Sequence, residues 1–230
     1  MRKFNYVLHK RMRQGRREHV LLMGHSFVQR LQRDGVKEND LKLYRSKVSW
    51  VGQYPSPLGY MPLNLISDVV KNFHEIMLFQ GEVDIVYLFL GTNDLVWFWD
   101  ETPEEIADWL YALARKYFTL YSVKRVVFME CLLRFGNRSF GRARYALYDK
   151  NIRSLYQIES WFAERMHAFN NRLKYWSRFD KRCSFEAMKG FKAETQDWLI
   201  DGLHLDWRGR DKLRALLRRS IIVESCRSRR

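Results

Sequence analysis

VDIVYLFLGTND, residues 83–94, decides the fold. Ile85 to Leu90 is apolar without a break and stops at Gly91. A strand buried on one face alternates with period two; a strand buried on both faces does not. The run therefore reads as a central strand of a parallel sheet with helices on either side. Upstream, HVLLMG (19–24) is a second short apolar run closed by a glycine. SFVQRLQRDGV follows at once, with Phe27, Val28 and Leu31 spaced for one helix face and Gly35 as a stop. LKLYRSKVSWVG alternates well enough for a strand ending at Gly52.

The remaining elements follow the same alternation. QYPSPLGYMP holds three of the four prolines and reads as loop. LNLISDVVKNFHEIM reads as one amphipathic helix. Thr102, Pro103 and Glu105 give a capping box with proline at the first helical position. Ile106, Trp109, Leu110 and Leu113 form the buried stripe of the helix they open. KRVVFMECLL is a fourth strand and CSFEAM a short fifth. Between them, residues 146–179 read as a long helix with Ile152, Leu155, Tyr156, Phe162, Met166 and Leu173 inward. A closing helix starts near Trp207. Strands alternating with helices predict an α/β domain with a mostly parallel sheet covered on both faces. A basic arm (1–18), one domain (19–222) and a basic tail (223–230) are expected.

In such a sheet, ligands bind beyond the carboxyl ends of the strands. Three ends carry polar residues: Gly24-His25-Ser26, Gly52, and Gly91-Thr92-Asn93-Asp94. Ser26 sits at the N-terminus of the first helix, where backbone N–H groups are unpaired and negative charge is favoured. A serine hydroxyl needs a base to become a nucleophile. IDGLHLDW supplies one in His204, with Asp201 three residues before it to hold the imidazole in one tautomer. Asn93 offers an amide N–H to an oxyanion, and Gly52 (or Gly59) a backbone N–H. His25 either packs beneath the site or lines it. Trp97, Phe98, Trp99 and Trp207 are either core or an aromatic wall for substrate. Asp94 reads as a turn residue, His74 and His167 as structural, and the arginines of RFGNRSFGRARYAL as a solvated loop or an anion clamp.

GHS, GTND and DGLH, in that order, resemble the sequence blocks of SGNH hydrolases, the GDSL esterase/lipase superfamily. The resemblance covers residues 19–222 and implies a flavodoxin-like three-layer sandwich with a five-stranded sheet. It implies a serine esterase acting on a small ester, a lipid or an acylated sugar through an acyl-serine, with no cofactor. The triad would be Ser26, Asp201 and His204, and the oxyanion hole Ser26, Gly52 and Asn93. His25 replaces the usual aspartate of the first block, and the glycine block is poor. The chain is also similar to SGNH domains associated with animal retrotransposon proteins.

The formal net charge is +15. Residues 1–17 hold seven Lys/Arg and no acid, and 124–182 hold fourteen basic residues against five acidic. Such a field attracts nucleic acid or anionic membrane surfaces. An inactive SGNH-like module binding such a surface is the rival expectation. Cys131, Cys183 and Cys226 lack metal-ligand spacing, and no metal site is expected. No apolar run approaches ~18 residues, and the start of the chain lacks the apolar core of a secretory signal. An intracellular chain, cytoplasmic or nuclear, is expected.

Overall fold

A computed structural model describes residues 17–33, 41–56, 59–62, 64–136, 140, 154–191 and 204–229. The strands are β1 (Glu18–Gly24), β2 (Ser46–Val51), β3 (Gln53–Ser56), β4 (Gly59–Pro62), β5 (Ile85–Phe89), β6 (Arg125–Met129) and β7 (Cys183–Glu186). The helices are α1 (Ser26–Arg33), α2 (Ile66–Lys71), α3 (Phe73–Gln80), α4 (Asp94–Trp97), α5 (Pro103–Tyr121), α6 (Leu155–Phe179) and α7 (Trp207–Ser228). The main sheet has the order β2-β1-β5-β6-β7, and every neighbouring pair is parallel. The chain steps outward from β1 to β2 and then returns to the other side of β1 at β5. That reversal opens a crevice above the β1 and β5 carboxyl ends.

The two central strands are buried along their whole lengths, as their unbroken apolar runs require. Alternate residues feed two cores. Leu21, Met23, Val86 and Leu88 pack with α2, α3, α5 and α6; Val20, Leu22, Ile85 and Tyr87 pack with α1 and α7. The result is the expected three-layer α/β sandwich. The Thr102 hydroxyl accepts from the Glu105 N–H at 3.2 Å, and the Glu105 carboxylate accepts from the Thr102 N–H at 2.9 Å. Such caps contribute ~1 kcal/mol each. No helix among the described residues is long and apolar enough to cross a membrane.

Four expectations are corrected. QYPSPLGYMP contains the antiparallel hairpin β3–β4 instead of loop alone, with Tyr54 opposite Met61. The single helix expected at 63–77 is two, α2 and α3, broken at Asn72, whose side chain turns back to the Asp68 carbonyl at 2.8 Å. Trp109, Leu155 and Tyr156 are exposed, while Ala107, Ala114, Ile158 and Phe169 take inward positions. Residues 223–228 continue α7: Leu213, Leu217, Ile221 and Glu224 keep one helical stripe inward, and Glu224 accepts from Arg125 Nε at 2.6 Å. At the other terminus Glu18 already belongs to β1, and residues 1–16 and Ile152 lie outside the described residues.

Candidate active site

The register brings three motifs to one edge. Gly24 pairs with Phe89, and Met23 with Val51, so His25, Gly52 and Leu90 leave the sheet side by side. The chain needs only His25 to turn from β1 into α1, which Ser26 begins. The His25 N–H bonds the Phe89 carbonyl at 3.4 Å, and its carbonyl accepts from Gln29 at 3.1 Å. Gly52 is buried against that same first turn: a Cβ there would lie 2.4 Å from the Gln29 nitrogen. The close approach explains the glycine and sets the β2 end beside the helix start.

Gly91 has φ +103, and a Cβ on it would meet the Phe169 ring at 2.3 Å. The turn it makes is secured from three sides. The Thr92 hydroxyl points to Cys131 Sγ at 3.2 Å. Cys131 is itself held by Asn170 of α6, which accepts from its N–H at 3.0 Å and donates to its carbonyl at 3.1 Å. Burial pushes the Cys131 thiol up to about 12, so it stays protonated. The Asn93 amide donates through Nδ2 to the Asn64 carbonyl at 2.9 Å, and its Oδ1 accepts from Arg134 Nη2.

Asp94, read from sequence as a turn residue, is fully buried. Its Oδ1 accepts the Ile66 N–H at 2.9 Å, tying the Asn93 turn to the start of α2. Arg165 of α6 closes the far side, donating to the carbonyls of Leu95 (3.1 Å), Phe98 (2.9 Å) and Glu101 (2.8 Å).

His204 stands half-buried three residues before the start of α7. Leu205 anchors it in the core beneath α7, and Asp206 caps that helix, accepting from Gly209 at 2.8 Å. His25 is 2% exposed and therefore packs beneath the site instead of lining it. Burial, with further contributions from the charges of Arg134 and His204, lowers its pKa to about 3. It is neutral at physiological pH. Both Arg134 and His204 lie within electrostatic range of His25. At this sheet edge Asn93 is bonded to Arg134, and Gly52 lies beside the turn that Ser26 opens. Trp97 and Trp207 are 53% and 66% exposed at the ends of α4 and α7. The Ser26 side chain, Asp201 and the side chain of Gly59's hairpin neighbours lie outside the described residues.

Arg134 is the member that sequence reading missed. The arginines of RFGNRSFGRARYAL read together as a solvated loop or an anion clamp, with none singled out, yet this one is 4% exposed, with the Phe162 ring 5.6 Å from its guanidinium carbon. Burial draws its pKa down to about 10, so it keeps its charge at neutral pH. The other arginines of that stretch lie outside the described residues. Together the edge offers a helix N-terminus, an oriented amide donor and a buried cation, which is a set suited to stabilising an oxyanion.

No protein-family model matches the chain, and no curated protein matches its sequence. Solved structures do resemble it. A GDSL-like lipase from Bacteroides thetaiotaomicron superposes with TM-score 0.61 at 15% identity, covering 90% of this chain and 89% of its own. The aryl esterase of M. smegmatis superposes with TM-score 0.59 at 13% identity, covering 90% and 99%. A carbohydrate esterase of family 3 from Talaromyces cellulolyticus gives TM-score 0.58 at 17% identity, covering 89% and 96%. The fold of this chain is the three-layer α/β fold of that lipase and those esterases.

Proposed function

We propose that the chain is a serine esterase of the SGNH type, hydrolysing a carboxylic ester of an acetyl or longer acyl group. One observation carries the reading: the sheet edge where Ser26 opens a helix also holds a doubly bonded Asn93 amide, with His204 in electrostatic range of His25, in a fold shared with esterases. In the proposed reaction Ser26 Oγ attacks the ester carbonyl while His204 takes its proton. The oxyanion is held by the Ser26 N–H, the second N–H of Asn93 Nδ2 and the Gly52 N–H. Collapse expels the alcohol, which takes the proton from His204. Water, deprotonated by the same imidazole, releases the acid and frees Ser26. Asp201 orients His204. No cofactor enters these steps. The substrate is a small ester, a lipid or an acylated sugar, as the names of the structural neighbours support.

The test is covalent labelling. A fluorophosphonate should phosphonylate the parent on the peptide holding Ser26, and Ser26→Ala should lose that mass shift. Label on another residue, or none, overturns the assignment.

A second reading, nucleic-acid binding, is favoured by the carboxyl half of α6. Tyr175 and Phe179 are exposed there with rings 15° from parallel, among Lys174, Arg178, Lys181 and Arg182. Exposed ring faces within a basic field suit stacked single-stranded bases. The expected result is salt-dependent binding of a fluorescent oligouridylate, weakened at least tenfold by Tyr175→Ala/Phe179→Ala and unaffected by Ser26→Ala. Equal binding by the double variant removes this surface from consideration.

A further inference from the structure

We infer that Arg134 is a positioning residue: its guanidinium fixes the rotation of the Asn93 side chain, and so decides which atom of that amide meets the reacting oxygen. The inference rests on the esterase reading above.

An asparagine amide has two orientations, 180° apart, of almost equal shape. Only one turns N–H toward a developing oxyanion; the other turns an oxygen toward it and repels the charge. Contacts must therefore choose between them. At this site the choice is forced by donor and acceptor type. A guanidinium has donors and no acceptor, and a main-chain carbonyl has acceptors and no donor. Arg134 Nη2 faces one end of the amide and the Asn64 carbonyl faces the other, 2.9 Å from Nδ2. Flipping the amide would set N–H against N–H at one end and oxygen against oxygen at the other. Oδ1 must therefore lie toward Arg134. Nδ2 then spends one proton on Asn64 and keeps the second.

Arg134 can hold this position because it is itself held. It is buried, it lies over the Phe162 ring, and it follows Cys131, which Asn170 pins to α6 by two hydrogen bonds. The amide thus takes its orientation from the segment that follows β6 and from Asn64 before α2, not from its own short turn. The buried positive charge also polarises the amide it bonds, strengthening the remaining N–H as a donor.

The test is a double-mutant cycle on hydrolysis of a short-chain aryl ester, using the parent, Arg134→Met, Asn93→Ala and the double variant. Losing an oxyanion donor costs roughly 100- to 1,000-fold in kcat; with the Asn64 carbonyl still holding one N–H, an amide loosened at its other end should cost roughly 10- to 100-fold. Arg134→Met is expected to lower kcat by that amount with KM within about threefold. In the Asn93→Ala background the same substitution should change kcat less than about threefold, because the residue through which it acts is gone. Arg134→Lys, which keeps a donor toward Oδ1, should recover most of the loss.

Equal losses in both backgrounds, or a loss carried by KM alone, would overturn the inference. The lock also has a readout that needs no turnover. The Asn93 side-chain NH2 pair, identified as the one missing from the 15N spectrum of Asn93→Ala, should exchange with solvent at least tenfold faster in Arg134→Met. Should that variant fail to fold, Arg134→Gln is measured in its place. A parent that neither turns over nor labels, yet shows this protected amide, loses the esterase reading and keeps the lock; an active parent whose amide exchange ignores Arg134 does the reverse.

Discussion

A His204→Ala variant should lose kcat for a short-chain aryl ester by about 10,000-fold or more. Its thermal midpoint should stay within ~2 °C of the parent. The two halves of this expectation have separate origins. The position of residue 204 is set by its neighbours: Leu205 is buried beneath α7, and Asp206 caps that helix. Neither anchor needs the imidazole, which is half-exposed. The proposed reaction needs it entirely, because a serine hydroxyl at neutral pH is a poor nucleophile until a base takes its proton.

His25, within electrostatic range of His204, cannot stand in. Its pKa of about 3 makes it a weak proton acceptor at neutral pH, and its backbone is engaged between Phe89 and Gln29. Free imidazole added to His204→Ala should therefore restore part of the turnover by occupying the emptied, half-open position. Turnover within tenfold of the parent, with or without imidazole, would assign the base to another residue.

The parts of this molecule written in consecutive residues were legible. Ile85–Leu90 announced a doubly buried strand, and Thr102-Pro103-Glu104-Glu105 announced the start of α5. The parts written across the sheet were not. Arg134 is buried because Phe162 and Asn93 reach it from other elements, 28 and 41 positions away. No local pattern distinguishes it from an arginine in water. Trp109 failed for the opposite reason. Its helical spacing is correct for the inward stripe, but it falls at the stripe's margin, where it packs edge-to-face with Phe98 and stays partly in solvent. Glu224 looked like part of a charged tail because the Arg125 that neutralises it is 99 residues upstream. Motif order, by contrast, survives such distances. GHS and GTND were read as neighbours because both follow strands, and the β1–β5 register places their strands side by side.

Asp94→Asn should remove a contribution to stability that falls between about pH 4 and pH 7 in the parent. The carboxyl is fully buried, and burial raises its pKa from 3.8 to about 7 against the partial relief of the Ile66 N–H. The ionisable groups around it are Asp68 of α2, whose charge raises it further, and Cys131 and Arg134 beyond β6. In the unfolded chain the carboxyl loses its proton near 3.8, while the folded chain keeps it until about 7. Between those values the native state binds more protons, so stability must decrease as pH rises, and it levels off above the folded value. At ~1.36 kcal/mol per unit the decrease is on the order of 4 kcal/mol. His25 works in the other direction, since its buried neutral ring gains stability as pH rises from about 3 to 6.5. That contribution is common to parent and variant and cancels in their difference. Asparagine keeps an oxygen for the Ile66 N–H but sets an amide where Oδ2 has no partner among the described residues, so the variant carries a constant cost of its own. The decisive quantity is therefore the difference between parent and variant urea-unfolding free energies at pH 4.5 and at pH 8. If that difference does not change between the two pH values, Asp94 is ionised in the folded protein. The bond it makes to α2 is then a charged one, and the turn that carries Asn93 is held by an ion rather than by a neutral acid.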